Sequence, residues 1–207
     1  MTSQEQIAHT LDELFNDSKY DRIKMVKGAA KSMFRPMQTP DFKDAYLSIS
    51  REQGEDLVKL ITVNHLKNIV EFGTSFGIST LYLAQAVKQT NGKIITTELI
   101  ESKAQKAIDN FKKAGVNKFI DVRTGDAIET LQNHKESIDL LLLDGWKNLY
   151  LPLFQMLEPN FHTHTIIYVD NANMSDSQAF LNTVGQNKKY HLQSKFGNKV
   201  VLITLKN

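Results

Sequence analysis

Four residues suited to metal binding or proton transfer follow two strand-like segments in the second half of the chain. The apolar run IDLLLLD ends at Asp144, with Lys147 shortly after it, and TIIYVDNAN carries Asp170 and Asn171. If these segments are neighbouring parallel strands, their carboxyl ends lie about 4.8 Å apart, so both carboxylates could share one ion. Two carboxylates and an amide oxygen suit a hard cation, Mg²⁺ first and Mn²⁺ or Ca²⁺ next. The alternative is that each aspartate only caps the helix that follows it.

Lys147 is a candidate general base. We expect it in the first turn of a helix, where its positive charge opposes the helix dipole and is locally unfavourable. A nearby divalent cation and partial burial would both favour the neutral amine, which could take a proton from a substrate hydroxyl. The metal would bind vicinal hydroxyls and acidify one of them. A solvated lysine on the surface is the alternative interpretation.

A glycine-containing turn, EFGTSFGIST, follows the first predicted strand and leads into a helix. Gly73 and Gly77 permit positive φ and a close approach of ligand to backbone, and Ser79 adds a donor. Because the pattern is GxxxG rather than GxGxxG, and GK[ST] is absent, a phosphate-binding loop is disfavoured. Glu98 ends the second strand, 25 residues after Gly73, where a carboxylate can accept both hydroxyls of a ribose. With GDA at 125–127 closing the third strand, the pattern predicts an adenosine-type ligand; ordinary strand-to-helix geometry is the alternative.

Composition excludes several classes of site. The 207 residues contain no cysteine, which rules out disulfides, thiolate zinc sites and a cysteine nucleophile. The motifs GxSxG and HExxH are both absent, so the sequence lacks the catalytic residues of the hydrolases that carry them. No apolar run approaches the roughly 20 residues of a membrane span, and the polar, acidic amino terminus favours a cytoplasmic location. His162 and His164 alternate on one strand face as a zinc pair would, but at the opposite end of that strand from Asp170.

The elements that position these residues alternate between strand and helix from about Lys67 onward. Short β-branched or leucine-rich runs separated by amphipathic stretches are typical of a parallel sheet covered by helices on both faces. The near-continuous apolar run IDLLLLD suits a central strand. The last two runs, YHLQSKF and KVVLITL, are separated by Gly197 and Asn198 and predict an antiparallel hairpin. The fold class is therefore α/β, a doubly wound Rossmann-like sheet of seven mostly parallel strands.

The amino-terminal part of the chain has helical periodicity, a break at Pro36 and Pro40, and no convincing strand. We expect residues 1–46 to form a helical extension that serves as a lid or makes dimer contacts, and residues 47–207 to form the main domain. Ser50 and Gln53 have the spacing of a capping box, which predicts a helix from there to about Val63. Six basic residues between Lys19 and Arg35 could contact an acidic partner or line a solvated helix face.

Together these motifs resemble the class I S-adenosylmethionine-dependent methyltransferases, and within them the metal-dependent O-methyltransferases that include catechol and caffeoyl-CoA enzymes. The resemblance runs from about Leu47 to the carboxyl terminus. It rests on ISREQG at 49–54, VEFGTSFGIST, Glu98, TGDA, LLLLDGWKNLYLP and YVDNA. It implies S-adenosylmethionine as methyl donor, Asp144, Asp170 and Asn171 as ligands of Mg²⁺, and Lys147 as catalytic lysine. The residues implied to border the methyl donor are Ile49, Ser50, Glu71, Gly73, Ser79, Glu98, Gly125, Asp126, Ala127 and Asp144.

The resemblance implies a small hydroxylated aromatic molecule, such as a catechol, as methyl acceptor, and it allows a homodimer. Trp146 and Tyr150 either line this acceptor or pack in the core. Gly145 departs from the pattern, since animal catechol enzymes carry histidine there and many bacterial relatives alanine. No glutamate lies near Phe196 to orient a free hydroxyl. Because related bacterial proteins methylate a hydroxylated uridine of tRNA, the resemblance also allows that acceptor as an alternative, with the basic stretch as its contact. Two further interpretations remain. One is a nicotinamide-dependent dehydrogenase, although its GxGxxG motif is absent from this sequence, and the other is a non-catalytic nucleoside-binding or scaffold protein.

Overall fold

The structure is a computed structural model, and it describes residues 2–18 and 48–206. The basic stretch Lys19–Arg35 and the proline break at Pro36 and Pro40 lie outside the described residues. Within the described ranges, no helix has the length and apolar character needed to cross a membrane.

In residues 2–18 and 48–206, seven strands form a single sheet, and seven α-helices accompany it. The strands are β1 (Asn68–Phe72), β2 (Lys93–Glu98), β3 (Ile120–Thr124), β4 (Ile138–Leu143), β5 (Phe161–Val169), β6 (Tyr190–Lys195) and β7 (Val200–Leu205). The helices are α1 (Ser3–Ser18), α2 (Arg51–Val63), α3 (Ile78–Thr90), α4 (Glu101–Lys113), α5 (Ala127–Leu131), α6 (Tyr150–Leu157) and α7 (Ser175–Gly185). Short 3₁₀ turns occupy Asn117–Phe119, Lys147–Leu149 and Glu158–Asn160.

The strand order across the sheet is β3-β2-β1-β4-β5-β7-β6. Strands β1 to β5 are mutually parallel, whereas β7 is antiparallel to both β5 and β6. The predicted doubly wound sheet with an antiparallel carboxyl-terminal hairpin is therefore confirmed. The order reverses between β1 and β4, and a reversal of this kind opens a crevice outside the carboxyl ends of the strands.

The core has two layers, one on each face of the sheet. Along β4, Leu140 and Leu142 are buried in one layer and Leu141 and Leu143 in the other, because successive side chains of a strand point to opposite faces. All four leucines are fully buried, which confirms the central position predicted from the apolar run IDLLLLD. The carboxyl end of β4 thus lies in the middle of the sheet.

Two helix ends are set by local hydrogen bonds. The Ser50 hydroxyl accepts the Gln53 N–H, and the Gln53 side chain accepts the Ser50 N–H, so the predicted capping box starts α2. Gly115, with φ of +68°, follows the C-cap of α4, and the N–H groups of Gly115 and Val116 satisfy the last carbonyls of that helix. Helix α1 packs on this α/β unit through Ile7, Leu11 and Leu14, all of which are buried.

The structure also sets the length of one helix and of the carboxyl-terminal hairpin loop. Helix α5, which follows the start of the GDA segment, is short and ends at Leu131. The carboxyl-terminal hairpin loop has four residues rather than two: Lys195 pairs with Val200, and Phe196 joins Gly197 and Asn198 at positive φ. The Lys199 N–H closes this loop on the Phe196 carbonyl, at 3.1 Å.

Candidate active site

The candidate site lies at the carboxyl ends of β1, β4 and β5, beside the crevice where the strand order reverses. Gly73 follows β1, Asp144 follows β4 and Asp170 follows β5. Phe72 pairs with Leu143, and Leu143 with Val169, so the three strand ends are level. Parallel pairing therefore brings the glycine turn and both predicted carboxylates to one edge of the sheet, as the sequence predicted.

Asp144, Asp170 and Asn171 form one contact cluster. The Asn171 Nδ2 donates to Asp144 Oδ1 at 3.1 Å and to Asp170 Oδ2 at 2.6 Å. Neither aspartate caps a helix: the 3₁₀ turn after Asp144 has Trp146 at its N-cap, and α7 has Met174, in both cases without a side-chain cap. The capping alternative considered from the sequence is therefore wrong for both residues.

The electrostatics of the cluster are those of two carboxylates held together out of water. Burial raises the pKa of the Asp144 carboxyl well above its ordinary value, and the charge of Asp170 raises it further, while the nearby Lys147 opposes the change. Asn171 adopts a φ of +53°, a left-handed conformation that asparagine tolerates better than most residues. Local strain and like-charge repulsion are thus both present at this point.

The donor set suits a hard divalent cation. A positive charge between Asp144 and Asp170 would offset their repulsion, and a rotation of the Asn171 amide would present its oxygen in place of Nδ2. Within 2–18 and 48–206, no three histidine, cysteine, aspartate or glutamate side chains form a metal-binding group. A cation here would therefore take two carboxylates and complete its coordination with the amide and with water or substrate oxygens.

Lys147 lies beside this cluster. Its Nζ is 3.7 Å from Asp144 Oδ1, donates to the Gly145 carbonyl at 2.9 Å and lies 5.4 Å from the centre of the Tyr150 ring. The residue begins a 3₁₀ turn, with α6 following at Tyr150, rather than the α-helical turn expected. Its side chain is 14% exposed, which places the amine at the edge of the carboxylate cluster rather than in bulk solvent.

Two contacts of Asp170 were not predicted from the sequence. Gln53 Nε2 donates to Asp170 Oδ1 at 2.5 Å, and the Tyr150 hydroxyl donates to the Asp170 carbonyl at 3.2 Å. Lys199, in the hairpin loop, donates to Gln53 Oε1 at 2.8 Å. Gln53 had a sequence signal, the capping box, but Asp170 lies 117 residues away and no local pattern links the two.

The glycine turn after β1 is tightly wound. Gly73, Ser75 and Gly77 have φ of +107°, +50° and +90°. The N–H groups of Gly73 and Thr74 both donate to the Thr97 carbonyl at the end of β2, and α3 begins directly after Gly77. The positive φ values explain the two glycines, and the turn brings the first N–H groups of α3, with the buried Ser79, to the crevice.

Glu71, in β1, stabilises this turn through hydrogen bonds with threonine hydroxyls. The fully buried carboxylate accepts the hydroxyls of Thr80 and Thr96, at 2.5 and 2.6 Å through Oε2, and Thr96 in turn contacts the Thr74 hydroxyl at 2.6 Å. Glu71 Oε1 and Ser75 Oγ are buried without a hydrogen-bond partner among the described residues. Unpaired buried polar atoms are costly, so this turn fits a polar ligand that would supply their partners.

Glu98 lies next to the turn, at the end of β2. Its carboxylate accepts the N–H groups of Ser75 at 2.8 Å and Ile100 at 2.9 Å, which fixes its orientation. Burial raises its pKa, and these two backbone donors oppose the change. The Gly125 N–H donates to the Glu98 carbonyl, so the predicted GDA segment adjoins it. Within that segment, Asp126 caps α5 through the Ile128 N–H at 2.7 Å.

The remaining predicted site residues are placed as follows. Ile49 is buried and Ser50 exposed at the amino end of α2, next to Gln53. Ala127 is buried in the first turn of α5. Tyr150 is fully buried and packs in the core, whereas Trp146 is 39% exposed. His162 pairs with Asp139 at 2.8 Å near the amino end of β5, so it lies away from the carboxylate cluster.

Comparison with known proteins identifies relatives for most of the chain. A family model described as O-methyltransferase matches residues 35–189. The catechol O-methyltransferase of Niastella koreensis is 34% identical over 129 residues, which are 60% of this chain and 58% of that protein. The caffeoyl-CoA O-methyltransferase of Medicago sativa is 30% identical over 132 residues, which are 60% of this chain and 53% of that protein. The chain thus spans a little over half the length of these curated relatives.

A solved structure extends the likeness to nearly the whole chain. The O-methyltransferase from Bacillus cereus, in complex with SAH, has a TM-score of 0.72 and 23% identity, and the match covers 96% of this chain and 91% of that one. At this level of identity the likeness shows the fold, which is the Rossmann-like arrangement described above.

Proposed function

The chain belongs to the O-methyltransferase family, and we propose that it is a divalent-metal-dependent enzyme that moves the methyl group of S-adenosylmethionine to a hydroxyl of a catechol-like small molecule. The observation that supports this most is the convergence of Asp144, Asp170 and Asn171 with Lys147, beside the glycine turn at the reversal of strand order. Relatives named catechol and caffeoyl-CoA O-methyltransferase support a hydroxylated aromatic acceptor.

The donor would bind along the crevice between the glycine turn and the end of β2. Glu98, whose orientation is fixed by the Ser75 and Ile100 N–H groups, would accept the ribose hydroxyls with its remaining lone pairs. Gly73 and Gly77 would let the backbone approach the ligand closely, and Glu71 Oε1 and Ser75 Oγ offer polar atoms that have no described partner. Ile49, Ser50, Ser79 and the GDA segment at 125–127 are the further residues proposed to border it.

The acceptor would bind over the carboxylate cluster. Asp144, Asp170 and Asn171 would hold a divalent cation, Mg²⁺ first, and when bound this ion would bind vicinal hydroxyls and acidify one of them. Lys147, 3.7 Å from Asp144, would remove the proton from the hydroxyl oxygen that receives the methyl group. The protein would hold the acceptor oxygen and the donor methyl group in line, which lowers the entropic cost of the reaction.

The experiment that tests this proposal measures methyl transfer from labelled S-adenosylmethionine to a panel of catechols and to bulk tRNA, with and without EDTA. We expect methylated catechols, loss of activity in EDTA, and recovery on addition of excess Mg²⁺. Activity on catechols that survives EDTA would contradict the metal assignment. Labelling of tRNA but of no catechol would show that the acceptor class is wrong while the family chemistry holds.

A further inference from the structure

Gln53 is a buried side chain whose amide makes three hydrogen bonds at the edge of the candidate site. It is 1% exposed. Its Nε2 donates to Asp170 Oδ1 at 2.5 Å, while its Oε1 accepts the Ser50 N–H at 3.0 Å and the Lys199 ammonium at 2.8 Å. One residue therefore connects the start of α2, the hairpin loop after β6 and a proposed metal ligand.

The partners of Gln53 determine which end of its amide faces Asp170. A backbone N–H and an ammonium group can only donate, so the oxygen of the amide must face Ser50 and Lys199. The nitrogen is then directed at the carboxylate, as the structure shows. A reversed amide would set its oxygen against Asp170 and leave two donors facing an NH₂ group. The capping box and Lys199 thus fix the orientation of the amide in a chemically unambiguous way.

Asp170 is held by this contact together with three others. Its Oδ2 accepts from Asn171, its N–H donates to the Leu143 carbonyl at 3.0 Å, and its carbonyl accepts from Tyr150. The residue is 2% exposed, so water cannot replace a missing donor easily. With Oδ1 engaged by Gln53, the plane of the carboxylate is set and Oδ2 remains directed toward Asn171 and Asp144. Outer partners of this kind orient the ligands of metal sites.

We propose that Gln53 is a positioning residue, which holds the Asp170 carboxylate in the orientation that binds a divalent cation. The Ser50 cap and Lys199 ensure that the amide presents its donor to that carboxylate. This inference rests on the proposed metal-dependent function and adds a residue to its site. A role limited to capping α2 would require only the contacts with Ser50, and would leave cation binding unaffected.

The substitution Gln53→Met tests the inference, because it removes the donor to Asp170 and keeps both the charge and the approximate length of the side chain. Binding of Mn²⁺ to the full chain, without methyl donor or acceptor, is followed by the electron paramagnetic resonance signal of the free ion. We expect the affinity to fall about 10-fold to 100-fold, as when outer partners of metal ligands are removed. Gln105→Met is the matched control, since Gln105 donates to Asp109 at 3.2 Å on the exposed face of α4; its Mn²⁺ affinity should equal that of the unaltered chain.

A second measurement needs no substitution and covers the case in which Gln53→Met does not fold. In the ¹⁵N-labelled chain, the side-chain amide resonances of Gln53 should shift as Mg²⁺ is added, because cation binding changes the carboxylate to which they donate. The Gln105 amide should not shift.

The outcomes distinguish loss of the Gln53 role from loss of the proposed metal site. In one outcome, the unaltered chain binds Mn²⁺ and the affinity of Gln53→Met is within about threefold of it, far less than the change expected for a metal-orienting partner. Gln53 then has no positioning role, while the proposed metal site is retained. An unmoved Gln53 amide resonance during saturation with Mg²⁺ leads to the same conclusion. If the unaltered chain binds neither ion, the metal assignment of the proposed function fails, and the inference fails with it.

Discussion

The substitution Gly73→Ala should disturb both the stability of the protein and its proposed metal site. Gly73 has a φ of +107°, which L side chains rarely adopt. A Cβ at this position would lie 2.7 Å from the Asp144 carbonyl oxygen, 2.8 Å from its carbonyl carbon and 2.9 Å from the Gly145 nitrogen. These are all backbone atoms, so no change of rotamer relieves the overlap, and the end of β1 must move away from the end of β4.

The magnitude follows from two contributions. Holding a residue with a Cβ in a sparsely populated backbone region costs about 1–3 kcal/mol. Forcing extra volume into a closely packed place costs about 1–3 kcal/mol more. We therefore expect Gly73→Ala to lose about 2–6 kcal/mol of unfolding free energy, a large part of the roughly 5–15 kcal/mol of a typical domain. Urea denaturation followed by circular dichroism measures the loss, provided that the slope with denaturant is unchanged.

Gly197→Ala is the matched control for this prediction. Gly197 also has a positive φ, of +59°, but a Cβ there would have no atom within 4 Å. It should lose only the conformational cost of a left-handed residue, about 1–2 kcal/mol. Mn²⁺ affinity should fall in Gly73→Ala and stay constant in Gly197→Ala, because only the first change moves Asp144. If both variants lose the same stability, contact between the glycine turn and the end of β4 does not constrain position 73.

Two further predictions concern the base and the edge of the sheet. Lys147→Ala should lower methyl transfer by more than about tenfold, as expected when a general base is removed, while the melting temperature stays close to that of the unaltered chain; activity within tenfold would exclude the base role. Lys189→Ala is its control, since Lys189 is exposed and pairs with Glu158. Tyr190→Phe should cost about 1 kcal/mol near pH 7, because the Tyr190 hydroxyl donates to the partly exposed Glu158 carboxylate. That hydrogen bond lowers the pKa of Glu158, so its contribution is complete above the ordinary carboxyl range and fades as the pH falls through the lowered pKa. Denaturation curves of the two proteins should therefore converge in acid, and a constant difference across pH would contradict this assignment.

Most of the fold could be predicted because its signals are local. The alternation of strand and helix, the four consecutive leucines of β4 and the Schellman-type end of α4 at Gly115 each depend on neighbouring residues. The ends of helices and strands are harder to predict where tertiary contacts decide them. The hairpin loop includes Phe196 in a left-handed conformation, because strand pairing ends at Lys195 and Val200, and α5 ends at Leu131.

The site could be predicted as far as the identity of residues at strand ends, and no further. That Asp144 and Asp170 converge follows from parallel pairing of β4 and β5, which the apolar patterns indicated. The support of Asp170 by Gln53 joins residues 117 positions apart, and no spacing in the sequence encodes it.

Gly145 packs directly against the last residue of β1. A Cβ at position 145 would overlap the ring of Phe72, the last residue of β1. That ring packs edge-on against Tyr150 at 6.3 Å, and the Tyr150 hydroxyl supports the Asp170 carbonyl. The Phe72 ring thus occupies the space that a larger residue at position 145 would need. Gly73 has the reciprocal relation, since its missing Cβ leaves room for the backbone of Asp144. The ends of β1 and β4 therefore approach closely, with Gly73 against the backbone of Asp144 and Gly145 against the Phe72 ring, and this closeness holds Asp144 next to the glycine turn.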